Sequence, residues 1–308
     1  MNKKLTEKLA PGHSTCAGCG IPVIVRTVLS AIEEPVVVVN ATGCLEVTTT
    51  VYPFTAWKVP YIHSAFENAG ATISGLETAW RVIKKKNGAL RQAQGDKFDK
   101  IKFIAFGGDG GTYDIGLQAL SGALERGHDF LYVCYDNGGY MNTGGQRSSA
   151  SPYGAETQTT PSSKEDIGNE IERKDIMRIV AAHGVKYLAQ ANAAYPEDLA
   201  KKVKKAMEIG GPAFILVLQP CTNEWKYPSS QYVYYGKAAA ETNFWPLYEI
   251  ENGKFAINYI PKERKPIEEF LKGQGRFKHL FRPENKAVIE KIQKTVDEKW
   301  AELVKLAG

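Results

Sequence analysis

The fold is decided by one stretch of this 308-residue chain, Ile101-Lys102-Phe103-Ile104-Ala105-Phe106-Gly107-Gly108-Asp109-Gly110-Gly111. Its apolar run is typical of a buried strand, and the run ends in a glycine cluster that contains one carboxylate. A helical pattern follows over Tyr113–Arg126, and a second apolar run, Phe130–Tyr135, leads into Asp136-Asn137-Gly138-Gly139. This order predicts a βαβ unit whose loops lie at the carboxyl ends of parallel strands, where open α/β sheets bind ligands.

The polar residues at these two strand ends suit a divalent cation and a diphosphate. Glycines such as Gly108, Gly110 and Gly111 let the backbone approach phosphate oxygens, and consecutive N–H groups form an anion-binding nest. Mg²⁺ prefers oxygen ligands, which Asp109 and Asn137 can offer as a carboxylate and an amide oxygen. Roughly half of all glycine-rich turns only pack or reverse the chain. The ordered set of Gly-Asp-Gly, helix, strand and Asn is far more specific for a cofactor site.

At these positions the sequence resembles enzymes that use thiamine diphosphate (TPP), because Gly108-Asp109-Gly110 followed by Asn137 matches their TPP motif. A longer stretch is similar to the β subunit of 2-oxoacid:ferredoxin oxidoreductases, most closely the pyruvate type; it reads Cys134-Tyr135-Asp136-Asn137-Gly138-Gly139-Tyr140-Met141-Asn142-Thr143-Gly144-Gly145-Gln146. The resemblance covers nearly the whole chain, from Gly12-His13 to the C-terminal helix. It implies the TPP-binding fold of the pyrophosphate type, an α/β domain with a parallel sheet and helices on both faces, plus an extended C-terminal tail.

The resemblance also implies a role for each matching residue. Asp109, Asn137 and the backbone carbonyl of Gly139 would ligate Mg²⁺, and Asn142 would be the catalytic residue that faces the substrate-bearing thiazolium. The other residues expected to contact TPP are Gly43, Cys44, His63, Gly108, Gly110, Gly111 and Tyr140. For His63 a second interpretation stays open, because a lone histidine before a predicted helix is more often a capping or core residue.

Five cysteines raise a separate question, because four of them lie in predicted turns. The four are Cys16, Cys19, Cys44 and Cys221, whereas Cys134 lies inside an apolar strand and is interpreted as a small core residue. Turn cysteines in a cytoplasmic protein favour a metal site over disulfides, and their spacing alone leaves zinc and iron–sulfur about equally open. The resemblance implies that the four turn cysteines bind a [4Fe–4S] cluster next to TPP.

The composition is that of an ordinary globular protein, with 43% hydrophobic and 24% charged residues, so the chain can bury one large core. The net charge of +5 is scattered apart from a run at Lys84–Lys86, which is placed to end a helix before Asn87-Gly88. No interleaving of basic and aromatic residues suggests nucleic acid. No apolar run has the length of a membrane span or a signal peptide, so we expect a cytoplasmic protein without membrane partners.

We expect two segments, a TPP-binding α/β domain over residues 1–245 that carries the four turn cysteines, and a C-terminal segment over residues 246–308. The helices predicted in the first are Ile21–Ile32, Phe66–Lys86, Tyr113–Arg126, Arg173–Ala182 and Pro196–Ile209, and the strands are Val36–Val39, Ile101–Phe106, Phe130–Tyr135, Lys186–Gln190 and Ala213–Leu218. This alternation is typical of a parallel sheet covered on both faces. Residues 138–168 form a loop too long for a plain connector, which favours a functional segment. The second segment is predicted to contain a hairpin around Glu251–Lys254, an extended stretch and a helix over Glu284–Leu306.

These observations predict TPP- and iron–sulfur-dependent oxidative decarboxylation of a small 2-oxoacid, pyruvate first, with electrons passed to ferredoxin. In related enzymes a glutamate activates the TPP aminopyrimidine, and no second domain that could supply it is evident in this chain. The resemblance therefore implies an α subunit that provides this glutamate, together with γ and δ subunits, separate or fused.

Three alternatives stay open. Departures from the pyruvate-type pattern at Pro220-Cys221-Thr222-Asn223-Glu224-Trp225 and Gly138-Gly139 allow another substrate, such as oxalate or a branched-chain 2-oxoacid. A non-redox TPP decarboxylase would need no cluster, and the four turn cysteines argue against it. A zinc-stabilised scaffold would not need Asp109 and Asn137 at their spacing. Trp225, at the end of the segment that begins with Pro220, is interpreted as a packing aromatic.

Overall fold

The protein is described here from a computed structural model that covers residues 7–86 and 100–308. Its centre is an eight-stranded sheet with the strand order β2-β1-β3-β4-β6-β5-β7-β8. The strands are β1 (Val36–Ala41), β2 (Tyr61–Ser64), β3 (Lys102–Gly108), β4 (Leu131–Asp136), β5 (Tyr187–Asn192), β6 (Ala213–Leu218), β7 (Tyr248–Glu251) and β8 (Lys254–Ile257). Strands β1 to β6 pair in parallel, and β7 and β8 pair antiparallel. The predicted α/β class is therefore confirmed.

Helices cover both faces of this sheet. They are α1 (Ile21–Ser30), α2 (Cys44–Thr49), α3 (Ala69–Lys86), α4 (Leu117–Glu125), α5 (Ile176–Ala181), α6 (Pro196–Glu208), α7 (Tyr232–Glu241), α8 (Glu268–Leu271) and α9 (Lys286–Ala307). Successive residues of the central strands alternate between two apolar clusters. Tyr132 belongs to the cluster that includes residues of α3, α4 and α9, and Val133 belongs to the one that includes residues of α1 and α6. Because side chains alternate along a strand, the two clusters lie on opposite faces, which confirms the predicted covering.

The topology brings four loops to one edge of the sheet. Strands β1, β3, β4 and β6 are neighbours and run parallel, so their carboxyl ends meet. The residues that follow these ends are Thr42, Asp109, Asn137 and Gln219. Every loop that carries a predicted ligand, apart from the one with Cys16 and Cys19, therefore starts at this edge.

The observed elements differ from the predicted ones in five places. The stretch predicted to be extended after the hairpin contains α8 and a 3-10 helix, Gly275–Phe281. Cys44 was predicted in a turn but is the first residue of α2. The segment around His63 precedes a helix as predicted, but it forms strand β2, which was not predicted, and α3 begins at Ala69 instead of Phe66. The helix predicted over Tyr113–Arg126 is divided into a π-helix, Gly110–Asp114, and α4. Helix α7 was not predicted at all.

The C-terminal segment joins the main sheet. Strand β7 pairs with β5, and β7 and β8 form the hairpin predicted around Glu251–Lys254. Apolar residues of α9, among them Ile289 and Ile292, belong to the same cluster as the central strands. The division of the chain at residue 245 stays a prediction, and these contacts tie its second part to the first. Among the described residues, no helix is both long and apolar enough to cross a membrane, and the predicted helix stop at Asn87-Gly88 lies outside them.

Candidate active site

A pocket opens where β1, β3 and β4 end. It is lined by ten residues predicted to contact the cofactor or its substrate: Gly43, Cys44, Gly108, Asp109, Gly110, Gly111, Asn137, Gly139, Tyr140 and Asn142. The other lining residues are Thr42, Phe66, Tyr135, Met141 and Thr143. The fold thus brings together residues from Gly43 to Asn142, which lie 99 positions apart in the sequence, although their roles stay predictions.

Three polar groups meet in this pocket: the Asp109 carboxylate, the Asn137 side-chain amide and the Gly139 carbonyl oxygen. The side-chain oxygen of Asn137 lies 2.8 Å from Asp109 Oδ1 and 2.9 Å from the carbonyl oxygen of Gly139. Oxygens at such distances repel unless a cation lies among them, or unless the amide is turned so that its nitrogen donates to both neighbours. A carboxylate, an amide oxygen and a backbone carbonyl form a ligand set suited to Mg²⁺.

Asp109 is buried and carries a perturbed carboxyl group. Burial raises its pKa to about 8, and the negative charge of Asp136 acts in the same direction. Two hydrogen bonds oppose the rise: Ser148 Oγ donates to Asp109 Oδ2 at 2.5 Å, and the backbone N–H of Asn137 donates to Oδ1 at 3.2 Å. A carboxylate in this position therefore calls for a neighbouring positive charge when it ionises.

This pKa predicts an unusual pH dependence of stability in the absence of a cation. The folded state holds the Asp109 proton up to about pH 8, whereas the unfolded chain releases it near pH 3.8. Since the folded state binds more protons between these values, its stability falls as the pH rises through this window. Thermal melting in chelator should show a steeper loss from pH 5 to pH 8 for the wild type than for Asp109→Asn. Parallel pH profiles for the two proteins would contradict this prediction.

Two of the residues that shape the pocket were not predicted. Ser148 donates to Asp109 from the long loop after β4. Asp136 is buried, accepts from Tyr113 Oη and Arg173 Nη2 at 2.6 Å each, and accepts from the backbone N–H of Gly138 at 3.0 Å. The pair Asp136–Arg173 thereby holds the loop that carries Asn137. The only sequence signal for these contacts was the length and composition of residues 138–168.

Trp225 was interpreted as a packing aromatic, and its side chain also hydrogen-bonds to the loop after β4. It is 1% exposed, and its indole N–H donates to the backbone carbonyl of Asn137 at 2.7 Å. The guanidinium of Arg276 lies over the indole ring, 3.7 Å from its centroid. Trp225 thus fixes the backbone of a predicted Mg²⁺ ligand from behind the pocket.

The placements of Tyr140 and His63 differ. The hydroxyl of Tyr140 donates to Asp114 at 3.0 Å, and a Cβ on Gly110 would lie only 2.3 Å from the Tyr140 ring, so this contact requires glycine.

His63 does not line the pocket. Its ring lies 2.7 Å from Thr42 Oγ1, a lining residue, and 3.5 Å from a carboxylate oxygen of Glu46. A role for His63 in cofactor binding stays a prediction.

The four turn cysteines come from three segments that pack next to the pocket. Thr222 Oγ1 donates to the carbonyl of Ala17 at 3.1 Å, which ties the segment of Cys221 to the loop of Cys16 and Cys19. Gln219 Nε2 lies 3.8 Å from the Cys19 sulfur. Cys44 lines the pocket itself. Cys134 is fully buried in β4, as predicted for a core residue.

These thiols also interact electrostatically. Burial raises the pKa of Cys19 to about 12, and Cys221 and Cys16 add to the rise. For Cys44, burial is again the main cause, followed by Cys221, Cys19 and Cys16. Across residues 7–86 and 100–308, no three or more His, Cys, Asp or Glu side chains are grouped so as to hold a metal ion. The thiols are thus close enough to affect one another, without the tight arrangement that one ion requires.

Comparison with known proteins decides the family. A model of the C-terminal TPP-binding domain of thiamine pyrophosphate enzymes matches residues 41–217, more than half of the chain. The chain is 54% identical over 293 residues to the pyruvate synthase subunit PorB of Methanocaldococcus jannaschii, covering 95% of both chains. It is 50% identical over 303 residues to the same subunit of Thermotoga maritima, covering 97% of this chain and 91% of that one. The chain is a β subunit of the 2-oxoacid:ferredoxin oxidoreductase family.

Two further relatives show the breadth of this family. The chain is 45% identical over 304 residues to the ketoisovalerate oxidoreductase subunit VorB of Pyrococcus abyssi, covering 98% and 94% of the two chains. Among solved structures, a 2-oxoglutarate:ferredoxin oxidoreductase from Magnetococcus marinus matches with a TM-score of 0.58 and 25% identity, over 71% of this chain and 68% of that one. As predicted, this oxidoreductase β subunit belongs to an enzyme with several subunits.

Proposed function

We propose that this β subunit binds TPP through Mg²⁺ and serves pyruvate:ferredoxin oxidoreduction. The observation that carries the proposal is the convergence of the Asp109 carboxylate, the Asn137 side-chain amide and the Gly139 carbonyl oxygen in the pocket. When bound, TPP supplies a carbon nucleophile and an electron sink for decarboxylation of the 2-oxoacid. The residues of this chain would hold the diphosphate, and Asn142 at the rim would contact the substrate.

The same pocket offers room for a diphosphate beside the proposed Mg²⁺ ligands. Gly110 and Gly111 line it without side chains, and Gly108 precedes Asp109 at the end of β3. Phosphate oxygens would complete the coordination of the cation, since Mg²⁺ is usually bound by few protein ligands together with substrate phosphates. Ionised Asp109 would then have the neighbouring positive charge that its burial requires.

A [4Fe–4S] cluster on Cys16, Cys19, Cys44 and Cys221 is proposed for three reasons. The donors are four thiols from segments that pack together, and thiolates are the ligands of such clusters. The charges on Cys221, Cys19 and Cys16 all raise the pKa of Cys44, as expected for four thiols that lie near one another. Cys44 lines the TPP pocket, so electrons would have a short path from the cofactor.

A buried cation near these thiols supports an anionic occupant. Arg276 is 3% exposed, and its two terminal nitrogens have no hydrogen-bond partner among the described residues. Burial lowers the pKa of Arg276 to about 9. The positive charge of Arg173 contributes to this decrease, whereas the negative charge of Cys221 raises the pKa. The Arg276 Nε–H donates to Gln274 Oε1 at 2.9 Å, but burying the two terminal nitrogens without an acceptor is costly, and the negative charge of a thiolate-ligated cluster would offset that cost.

The other subunits are proposed because this chain lacks a group that TPP chemistry requires at its pocket. TPP needs a carboxylate at its aminopyrimidine, and none of the residues lining the pocket except Asp109 carries one. An α subunit would supply that glutamate, and γ and δ subunits, separate or fused, would pass electrons to ferredoxin. Pyruvate is the proposed substrate because the relatives named pyruvate synthase reach 54% identity, whereas the one named ketoisovalerate oxidoreductase reaches 45%.

The substrate is tested with the native complex and a panel of 2-oxoacids. We expect pyruvate to give the highest kcat/KM with a viologen acceptor, at least about tenfold above a branched-chain 2-oxoacid, since one or two methylene groups in a pocket discriminate by about that factor. Oxalate and 2-oxoglutarate complete the panel. A preference for the branched-chain acid or oxalate would overturn the pyruvate proposal and leave the reaction class intact. Turnover without reduction of the acceptor would indicate a non-redox decarboxylase.

A further inference from the structure

Three buried tyrosine hydroxyls have no hydrogen-bond acceptor among the described residues. They belong to Tyr135, Tyr227 and Tyr232, which are 2%, 6% and 9% exposed. Nearly all buried hydroxyls in proteins are hydrogen-bonded, because an unpaired one loses its interaction with water without compensation. Three such groups in one region therefore indicate an acceptor that the protein chain does not itself provide.

Two of these hydroxyls lie beside the cysteines of the N-terminal loop and of the segment after β6. The Tyr232 hydroxyl lies 2.2 Å from the position that a Cβ on Gly20 would take, directly after Cys19. After burial itself, the charge on Cys19 is what raises the pKa of Tyr232. The backbone N–H of Tyr227 donates to the carbonyl of Thr222, directly after Cys221, at 3.4 Å, and after burial the charge on Cys221 is what raises the pKa of Tyr227. Each hydroxyl is thus near a different proposed cluster ligand.

Tyr135 stands beside a third ligand and also borders the TPP pocket. Its hydroxyl lies 3.0 Å from the position of a Cβ on Gly43, directly before Cys44. Burial and then the charge on Cys44 raise the pKa of this phenol. The residue lines the pocket together with Asp109. Its hydroxyl therefore lies between the proposed TPP site and the proposed cluster.

We propose that the hydroxyls of Tyr135, Tyr227 and Tyr232 donate hydrogen bonds to sulfur atoms of the [4Fe–4S] cluster and thereby raise its reduction potential. The inference rests on the proposed function, because it requires the cluster. The electron comes from oxidation of the 2-oxoacid; one-electron reduction of the cluster adds one negative charge and transfers no atom. Hydroxyl dipoles directed at sulfur stabilise that added charge, so they favour the reduced state. The three tyrosines are positioning residues that set how readily the chain accepts an electron.

The test replaces each tyrosine with phenylalanine in the full-length chain after anaerobic reconstitution with iron and sulfide. Redox titration with dithionite, followed by electron paramagnetic resonance, should show for each variant a roughly fivefold lower ratio of reduced to oxidised cluster at a fixed potential, as expected for one hydrogen bond of typical net strength. Electron–nuclear double resonance should also lose an exchangeable proton coupling. The iron-free variants should melt no lower than the wild type, because they lose a hydroxyl that has no acceptor.

Tyr235→Phe is the matched control on the same helix as Tyr232. The Tyr235 hydroxyl donates to the carbonyl of Lys272 at 3.0 Å, so this variant should melt at a lower temperature and leave the cluster potential unchanged. Unchanged potentials in Tyr135→Phe, Tyr227→Phe and Tyr232→Phe, with a normal cluster, would overturn this inference and leave the proposed function standing. A wild-type chain that takes up no iron would overturn both the cluster proposal and this inference.

Discussion

Replacing Asp109 with asparagine should abolish Mg²⁺-dependent binding of TPP by the native complex. The change removes the one carboxylate from the three polar groups that converge in the pocket, and asparagine keeps the size of the side chain. We expect the affinity to fall by more than about 100-fold, because loss of a group that merely supports a metal ligand already costs roughly 10–100-fold. Isothermal titration calorimetry with TPP, with and without Mg²⁺, measures the effect.

Although Asp109→Asn should bind TPP more weakly, the variant should not be less stable than the wild type. Asp109 is buried and has no basic partner in hydrogen-bond contact, so its neutral replacement should leave the cation-free protein at least as stable near pH 8. Asp136→Asn is the matched control, because Asp136 is equally buried but pairs with Arg173. Breaking that buried pair should cost about 3–5 kcal/mol of unfolding free energy. If Asp109→Asn bound TPP normally, or if both variants were destabilised alike, the proposed role of Asp109 would be wrong.

The parts of the site that sequence reasoning predicted depend on local order along the chain. An apolar strand that ends in Gly108-Asp109-Gly110 and a second that ends at Asn137 define neighbouring strand tips, because parallel strands joined by a short helix usually pair. The grouping of these residues in one pocket follows from this rule. The family resemblance supplied Cys44 and Asn142, whose positions at the pocket no periodicity could have predicted.

The parts that were missed depend on contacts across long sequence distances. Ser148 reaches Asp109 over 39 positions, and Trp225 reaches Asn137 over 88, so neither contact leaves a local pattern. Strand β2 was missed because it is a short edge strand whose residues are partly exposed, so it lacks the apolar run of a buried strand. Helix α7 was missed because most of its buried residues are small, namely Gly236 and the three alanines at 238–240, so the periodic pattern of large apolar residues is weak.

Replacing any one of Cys16, Cys19, Cys44 and Cys221 with serine should remove the iron–sulfur cluster from the reconstituted full-length chain. A [4Fe–4S] cluster needs four thiolate ligands, so the iron content should fall from about four atoms per chain towards zero, and the visible absorption should disappear with it. Iron and zinc analysis, together with absorption before and after reduction, measures the change. Cys134→Ala is the control, because this buried core cysteine should be replaceable without loss of iron.

The cysteine and aspartate variants together separate the two proposed centres. Cys19→Ser should lose the cluster and ferredoxin reduction but still bind TPP with Mg²⁺, because Cys19 is not among the residues that line the pocket. Asp109→Asn should lose TPP binding and keep the visible spectrum. Cys44 is the exception, because it lines the pocket and is also a proposed cluster ligand, so Cys44→Ser should weaken both. One zinc atom per chain and no iron in the wild type would instead make the four cysteines a structural site, and the electron path would then have to lie on another subunit.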